Sequence, residues 1–493
     1  MRGVLRSLAV VAAGTGLVLG VGYLSAPLDL ARVAGPGPAA TARAEPVRQA
    51  QVICPGPEAL GITGLKDSQA QTASVMASAP PVASLPSGFA AGPGAGSLTV
   101  SGLPSGGTWP SAVNVPGQVV SGQISTAQSA LVAATGALAP GTVATQRSWV
   151  KAGDNRGLFT AACMPAAASS WLIAGGAEPG RRERLVLTNP GPNPVTVDLT
   201  VLGVKGPIDS PNGRGLVVGP YARTVVLLDA ITGSEPSPVV QVSAQGGEVA
   251  AVLSDTWLDG VIPRGGDDAI PVAAPAREQV IAGVAIAGRA TLRIAVPGDT
   301  EAVVESRVLT ASGPKALPVD GVTRVAGHST RDIDLSSLPT DAYAVQVRAD
   351  VAVVAAAMVD RRRAADAPSD LAWSGASAPI GTFSGMALHA PGDSILTQRL
   401  DLAATANPAS VLVTTVEADG RVNTKTVAIA ADSVSRLSLD DATSVWVTPE
   451  SGLVRAAVVT WLTDADGVLV SVTPLADLTL TATSSPLREL RDG

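Results

Sequence analysis

The sequence predicts an all-β protein of tandem immunoglobulin-like β-sandwiches that follow one N-terminal transmembrane helix. Three observations lead to this prediction. A β-patterned unit recurs three times at a spacing of about 105 residues, close to the size of one immunoglobulin-like sandwich. An uncharged apolar segment stands at the N-terminus. Gly (52) and Pro (38) are abundant, whereas aromatic residues make up only 3% of the chain, a composition that favours many turns between short aliphatic strands.

The N-terminal segment comes first along the chain. Residues 8–28 carry no charge, and about 20 helical residues suffice to cross the ~30 Å bilayer core. Arg2 and Arg6 precede the segment, so its N-terminus is expected to stay cytoplasmic and the bulk of the chain to be exported. Residues 1–28 therefore read as a signal-anchor of a single-pass cell-membrane protein. The alternative is a signal peptide that is cleaved to release a secreted protein.

The next two segments are weakly patterned. Residues 29–53 are rich in Ala and Pro and read as an extended linker. Residues 54–169 form an irregular, β-rich region whose fold the sequence leaves open. Cys54 and Cys163 both fall in this region and are the only cysteines of the chain. In an oxidising compartment they are candidates for one disulfide, which would add about 4–5 kcal/mol of stability for a loop of about 100 residues. Two unrelated buried thiols are the alternative.

The three repeats follow. In repeat 1, residues 184–189 lead through a Pro-Gly turn into residues 195–202; repeat 2 has the same order at residues 291–296 and 302–309, and a more divergent repeat 3 runs through residues 410–416. Alternation of apolar and polar residues in these segments indicates strands with one buried face. Further correspondences place repeat 1 at residues 170–275, repeat 2 at 276–380, and repeat 3 with the C-terminal tail at 381–493. A β-propeller, with each repeat supplying two four-stranded blades, is the alternative architecture.

The inventory of reactive residues argues against an enzyme. The net charge of −7 and the lack of a basic stripe disfavour nucleic-acid binding. His328 and His389 are the only histidines and lie on different repeats, too few for a zinc site of His and Cys ligands or a Ser-His-Asp triad. We therefore expect no catalytic, metal-binding or cofactor-binding residues, no cofactor and no small-molecule substrate.

Acidic residues and tryptophans are the basis of two alternative hypotheses, a hydrolase and a glycan-binding module. Acids cluster at the end of repeat 1 (Asp255, Asp259, Asp267 and Asp268) and again in Asp464-Ala465-Asp466-Gly467. We interpret them as solvated loop acids; a buried pair in a cleft would instead indicate a hydrolase. Trp171, Trp446 and Trp461 are predicted to anchor cores. Exposure of Trp257 or Trp373 would indicate glycan binding.

Two short basic runs are the remaining charged motifs. They are Arg181-Arg182-Glu183-Arg184 and Arg361-Arg362-Arg363. Contact with anionic lipid or an envelope polymer is one interpretation. We favour charged loops and strand edges that prevent edge-to-edge pairing.

The chain as a whole resembles an actinobacterial family of secreted or membrane-anchored proteins of uncharacterised function. The shared features are the Arg-flanked N-terminal span, Cys54-Pro55-Gly56-Pro57, Cys163 followed by Ser170-Trp171 and Gly175-Gly176, and the Asn189-Pro190-Gly191 hairpin. The resemblance implies a role in the cell envelope, because members are often encoded beside a large envelope glycosyltransferase. It supplies no catalytic residues.

The sequence thus predicts a non-enzymatic, membrane-anchored extracytoplasmic protein that presents an interaction surface to envelope proteins or polymers. Its most concrete form is an accessory to envelope glycan assembly. An envelope glycan-binding module and a carboxylate-dependent envelope hydrolase are the alternatives.

Overall fold

The computed structural model describes residues 43–57, 73–105, 109–124, 128–388 and 396–484 of the chain. Two units are distinguished. One comprises residues 1–45 and 482–493 and is described only over the paired strands β1 (Arg43–Pro46) and β34 (Thr481–Ser484). The other comprises residues 46–481 and contains all the elements discussed below.

Strands dominate the described chain, so the predicted all-β class is confirmed. Helix within these residues is limited to α1 (Asp229–Thr232) and three single 3-10 turns, Val82–Ser84, Gly136–Leu138 and Pro211–Gly213. In the part of the chain that the structure describes, no helix has the length and apolar character needed to cross a membrane. The transmembrane segment predicted at residues 8–28 lies outside the described residues.

The region from Gln49 to Ala162 forms two sheets. The sequence left the fold of residues 54–169 open and assigned residues 29–53 to a linker, whereas strand pairing already begins at Gln49. Its strands are β2 (Gln49–Cys54), β3 (Ala73–Ser78), β4 (Leu98–Leu103), β5 (Val119–Ile124), β6 (Ser129–Thr135), β7 (Val143–Val150) and β8 (Gly157–Ala162). One sheet has the order β5-β3-β7-β8 and the other β2-β6-β4. Side chains of both sheets bury one shared core, and we call these strands sheet pair N.

Sheet pair 1 is built in the same way. Its strands are β9 (Ser169–Ile173), β10 (Arg181–Asn189), β11 (Val195–Gly203), β12 (Gly206–Ile208), β13 (Leu216–Val218), β14 (Ala222–Leu227), β15 (Val239–Gln245), β16 (Ala250–Asp259) and β17 (Ile262–Ala269). The sheet orders are β14-β10-β16-β17 and β12-β11-β15-β9, with β13 also paired to β11. A shared core again lies between the two sheets.

Sheet pair 2 differs in that one long strand serves both sheets. Its strands are β18 (Ala276–Ile286), β19 (Arg289–Ala295), β20 (Ala302–Thr310), β21 (Gly313–Ala316), β22 (Val322–Val325), β23 (Thr330–Asp334), β24 (Asp341–Asp360) and β25 (Leu371–Gly375). The first half of β24 pairs with β18 and β20, and the second half pairs with β19 and β25. Buried and exposed positions alternate along the first part of β20, as its sequence pattern predicts.

Sheet pair 3 completes the series. Its strands are β26 (Ser384–Ala387), β27 (Leu396–Ala404), β28 (Ala409–Glu417), β29 (Val422–Ile429), β30 (Ser433–Ser438), β31 (Ala442–Ser451), β32 (Val454–Asp464) and β33 (Gly467–Pro474). Their sheet orders are β26-β31-β28-β29 and β30-β27-β32-β33.

All four pairs share one strand order, so sheet pair N is a fourth copy of the fold seen in the three repeats. In each pair the chain passes from one sheet to the other several times, and most neighbours within a sheet are not consecutive strands. A propeller blade uses consecutive strands. The interleaved order therefore does not fit the propeller alternative.

The pairs also pack against each other in a closed ring. Ala457 and Val459 of pair 3 lie in the core cluster of pair 2, and Ala356 and Trp373 of pair 2 lie in that of pair 1. Pair N bonds to pair 1 between the Ser129 and Thr188 hydroxyls at 2.7 Å. The ring closes where Trp446 and Phe383 of pair 3 pack on Met76 and Val143 of pair N.

The last strand of each pair lies at the centre of this ring. These four strands, β8, β17, β25 and β33, contact one another in the order β8–β17–β25–β33–β8. We call them the axial strands. The predicted disulfide is confirmed and joins Cys54, at the end of β2, to Cys163, which directly follows axial strand β8.

Candidate binding site at the axial strands

A single buried carboxylate connects the four axial strands. Asp370, which precedes β25, accepts main-chain N–H groups from Val470 (2.8 Å), Leu158 (3.2 Å) and Gly266 (3.2 Å), one on each of the other three axial strands. Burial raises its pKa well above the usual range, although these donors and Arg156 act in the opposite direction. A methyl group on Gly265 would lie 2.2 Å from Asp370 Oδ1, so the site requires glycine there.

A second buried carboxylate lies next to the first. Asp267 of β17 accepts the Trp373 main-chain N–H at 2.7 Å and the Ser471 hydroxyl at 2.8 Å. Ser471 in turn accepts the Thr160 main-chain N–H at 3.2 Å. Burial raises the pKa of Asp267 well above its usual range, and the charges of Asp268 and Asp370 add to the shift. The donors are main-chain or hydroxyl groups that join strands, so the contacts hold the fold together.

A third buried carboxylate lies between sheet pairs 1 and 2. Asp255 accepts two hydrogen bonds from the Arg181 guanidinium (2.6 and 2.9 Å) and one from Trp373 Nε1 (2.8 Å). Burial alone would raise the pKa of Asp255, but the Arg181 charge and these hydrogen bonds hold it below the usual value. A buried, bidentate Arg–carboxylate pair of this kind fixes orientation between elements.

Arg293 supports the same junction from the other side of Trp373. Its guanidinium lies 5.1 Å from the Trp373 ring and donates to both oxygens of Asp332 (2.9 and 3.0 Å). It also donates to the Gly175 carbonyl at 2.9 Å. The tryptophan is therefore enclosed between protein groups.

These positions correct the prediction that the acids of repeat 1 are solvated loop residues. Asp255, Asp267 and Asp268 lie on β16 and β17 and are buried. The physical reason is that β17 is covered by other axial strands, which are distant in sequence and leave no trace in the local pattern. Asp259 is partly exposed and binds Arg264 at 2.8 Å.

The tryptophans follow the core-anchoring prediction in most cases. Trp171 and Trp446 are buried on β9 and β31, and Trp461 is half-buried on β32. Trp257 and Trp373 are 6% and 3% exposed, so neither presents a free aromatic face to a glycan.

The remaining sequence motifs do not assemble with these groups. His328 lies in a turn, and its Nε2 contacts the exposed Asp299 carboxylate. His389 lies outside the described residues. No group of three or more His, Cys, Asp or Glu side chains suited to a metal ion occurs in the described ranges.

An apolar pocket of about 460 Å³ opens where the axial strands end. Met164 and Pro165 follow β8, Ile270 follows β17, and Leu475 follows β33; all line it, together with Trp171. Asp477 is the only ionisable side chain among the described lining residues, because Cys163 is in the disulfide. Asp477 Oδ1 already accepts the main-chain N–H groups of Thr382 and Phe383.

The pocket was not predicted from the sequence. One signal was present, since an apolar residue and a proline stand shortly after the last strand in two of the sheet pairs, as Met164-Pro165 and Ile270-Pro271. The convergence of these segments depends on the ring of sheet pairs. The lining suits an apolar ligand or apolar side chains of a partner, because it buries hydrocarbon surface and offers few polar contacts.

Comparison with known proteins identifies the family. The chain belongs to the Family of unknown function (DUF5719), whose model matches residues 119–440, and the expected uncharacterised family is thereby confirmed. The comparison with curated proteins finds no match.

Two solved structures with remote similarity to this chain are an adhesion-protein repeat and a glycoside hydrolase. The crystal structure of a tetra-tandem repeat in the extending region of a large adhesion protein covers 87% of this chain and 100% of its own, at 16% identity and a TM-score of 0.10. A glycoside hydrolase family 32 structure from Bifidobacterium adolescentis covers 89% of this chain and 98% of its own, at 11% identity and a TM-score of 0.14. At these TM-scores neither similarity carries an argument.

Proposed function

We propose that the chain is a non-enzymatic extracytoplasmic protein, anchored in the membrane by residues 8–28, that presents an interaction surface to envelope proteins or polymers. The apolar pocket at the ends of the axial strands is the observation that carries this proposal. Its volume of about 460 Å³ lies in the range of ligand sites, about 300–1,000 Å³. Its lining offers contact surface rather than reactive groups.

The way in which the lining segments are held in place favours ligand binding over catalysis. Segments from sheet pairs N, 1 and 3 line it, and the Cys54–Cys163 disulfide fixes one of them. These segments form the rim of the pocket. Because the rim is fixed before a ligand arrives, less conformational entropy is lost on binding. Each sheet pair is, in this proposal, an immunoglobulin-like sandwich, and pairs N, 1 and 3 contribute to the rim.

The two alternative functions find less support in the geometry. Glycan binding would use exposed aromatic faces, whereas Trp257 and Trp373 are buried. A hydrolase would use carboxylates that reach a cleft, whereas Asp267 and Asp370 are enclosed by strands and already accept hydrogen bonds. An accessory role in envelope glycan assembly remains the most concrete form of the proposal.

Crosslinking in intact cells followed by pulldown of the full-length chain tests the proposal. Ala274 and Ala476 line the pocket with exposed side chains, so Ala274→Trp and Ala476→Trp fill it without disturbing a core. We expect both variants to lose the partner that the natural chain recovers. Recovery of a membrane glycosyltransferase would identify the accessory role, and recovery of polymer alone would favour the glycan-binding alternative.

A matched control separates the pocket from general surface effects. Ala311 is exposed in the turn between β20 and β21, so Ala311→Trp adds the same side chain elsewhere. It should recover the partner as the natural chain does. If the two pocket variants and this control recover equal amounts of the same partners, the pocket is not the interaction surface.

A further inference from the structure

The end of the axial strands opposite the pocket carries a cluster of arginines. The loop from Arg361 to Asp370 enters axial strand β25 there and contains the run Arg361-Arg362-Arg363. Arg156 directly precedes axial strand β8 at the same end. The two ends of the axial strands therefore differ in chemistry, one apolar and the other cationic.

The arginine loop is held in a defined position. Arg264 of β17 donates to the carbonyls of Ala365 (2.6 Å) and Ala367 (3.0 Å). Arg156 Nη1 donates to the Ser369 carbonyl at 3.0 Å, and the Ser369 main-chain N–H donates to the Pro263 carbonyl at 3.0 Å. These contacts fix the loop backbone on two neighbouring axial strands.

The three consecutive arginines differ in their contacts. Arg362 lies 5.1 Å from the Trp257 ring and pairs with Asp360 at 3.2 Å. In the described chain the guanidinium groups of Arg361 and Arg363 make no hydrogen bond and no ion pair. Arg361 is nevertheless half-buried, so its charge is partly removed from water without a bonded partner.

Arg363 and Arg156 approach each other over Gly467, the first residue of β33. A methyl group on Gly467 would lie 3.8 Å from Arg363 Cζ and 4.0 Å from Arg156 Nη2. Burial lowers the pKa of Arg361, and the charge of Arg363 lowers it further. Like charges are thus held close together by the fold, which is the arrangement that an anion would stabilise.

Most carboxylates of the same region are already engaged. Asp259 binds Arg264, Asp360 pairs with Arg362, and Asp370 accepts main-chain N–H groups. Asp466, beside Gly467, also has an interaction of its own. Asp366, on the exposed part of the same loop, forms no ion pair in the described chain, so Arg361 and Arg363 are left without a bonded carboxylate and can accept an anion from outside the chain.

We propose that Arg361 and Arg363 form a binding site for a phosphate group, in a monoester or a diester, at the cationic end of the axial strands. Two guanidinium forks present more donors than the two oxygens of a carboxylate can accept. A phosphate monoester offers three terminal oxygens, and a diester offers two terminal and two ester oxygens. In both the oxygens are arranged tetrahedrally, so two forks can approach them from different directions. The exposed Arg363 contacts an incoming ligand first. The half-buried Arg361 then binds it where fewer water molecules compete for the guanidinium.

Titration of the full chain in nonionic detergent tests the site with two probes, inorganic phosphate and a soluble short-chain phosphatidylglycerol. The natural chain should bind at least one of them saturably. Arg361→Ala/Arg363→Ala should weaken that binding by about tenfold to a hundredfold, the value of one or two charge-assisted hydrogen bonds. Binding of both probes would assign the site to a lipid-type diester, and binding of inorganic phosphate alone to free phosphate or a monoester.

Arg331 supplies the matched control because it is exposed on β23 and has no ion pair in the described chain. Arg331→Ala removes the same charge and should bind as the natural chain does. The double variant should melt no lower than the natural chain, because neither side chain bonds to the protein and their removal relieves repulsion between like charges. Absence of saturable binding to both probes, or equal binding by the double variant, would overturn the site.

Discussion

At the residue scale, Asp370 couples the four axial strands through main-chain N–H groups. Asp370→Ala removes the acceptor of Val470, Leu158 and Gly266 at once. Buried donors left without an acceptor cost about 1–3 kcal/mol each, so the three together should lower the free energy of unfolding by about 3–9 kcal/mol. Urea unfolding measures it. Asp366→Ala, on the exposed part of the same loop, is the control and should change stability by less than about 0.5 kcal/mol.

Glu183 provides a prediction of pH dependence at the same scale. Burial, a hydrogen bond with Asp229 and the charge of Asp255 raise its pKa to about 9. The native state therefore keeps a proton that the unfolded chain releases above about pH 4.5. The stabilisation that this bound proton provides is complete below that pH. Above it, the free energy of unfolding falls by about 1.4 kcal/mol per pH unit until the pH reaches the native pKa.

Glu183→Gln isolates this contribution, since the amide keeps an acceptor for the Gly176 main-chain N–H and has no proton to lose. The variant should gain stability relative to the natural chain between pH 5 and pH 8. Urea unfolding of both proteins at the two pH values gives the difference. A difference that does not change with pH would show that Glu183 is not the titrating group.

At the element scale, the disulfide ties β2 to the segment after β8. Cys54→Ser/Cys163→Ser should lower the free energy of unfolding by about 4–5 kcal/mol in the loop-entropy model, because the closed loop spans a sequence separation of 109 residues. Urea unfolding of the double variant against the oxidised natural chain provides the value. An equal midpoint for the two would mean that the loop is constrained by packing alone.

Individual strands could be predicted from the sequence because their signal is local. Residues 195–202 and 302–309 alternate with a period of two, and β11 and β20 form there. Burial of β17 could not be predicted, since Asp267 and Asp268 face strands of other sheet pairs. The pocket also depends on contacts between distant segments, so it could not be predicted either. The fourth sheet pair was missed because its strands are short and separated by Ser/Gly/Pro-rich segments.

At the scale of the whole molecule, the ring of sheet pairs makes tertiary contacts between distant parts of the chain. Trp446 of β31 is fully buried against pair N and donates from Nε1 to the Gly141 carbonyl at 3.3 Å. Trp446→Ala should destabilise pair N as well as pair 3, by about 3–5 kcal/mol in total. Limited proteolysis of this variant should expose sites in both pairs. Cleavage confined to residues 384–474 would show that the two pairs are independent.

The central claim is that the axial strands join four sheet pairs into one cooperative body. Native-state hydrogen exchange of peptides from β8, β17, β25 and β33 tests it most directly, in the natural chain and in Asp370→Ala. We predict that all four strands share one opening free energy and that the substitution lowers it in all four together. Four different opening free energies, with only that of β25 lowered by the substitution, would contradict the claim.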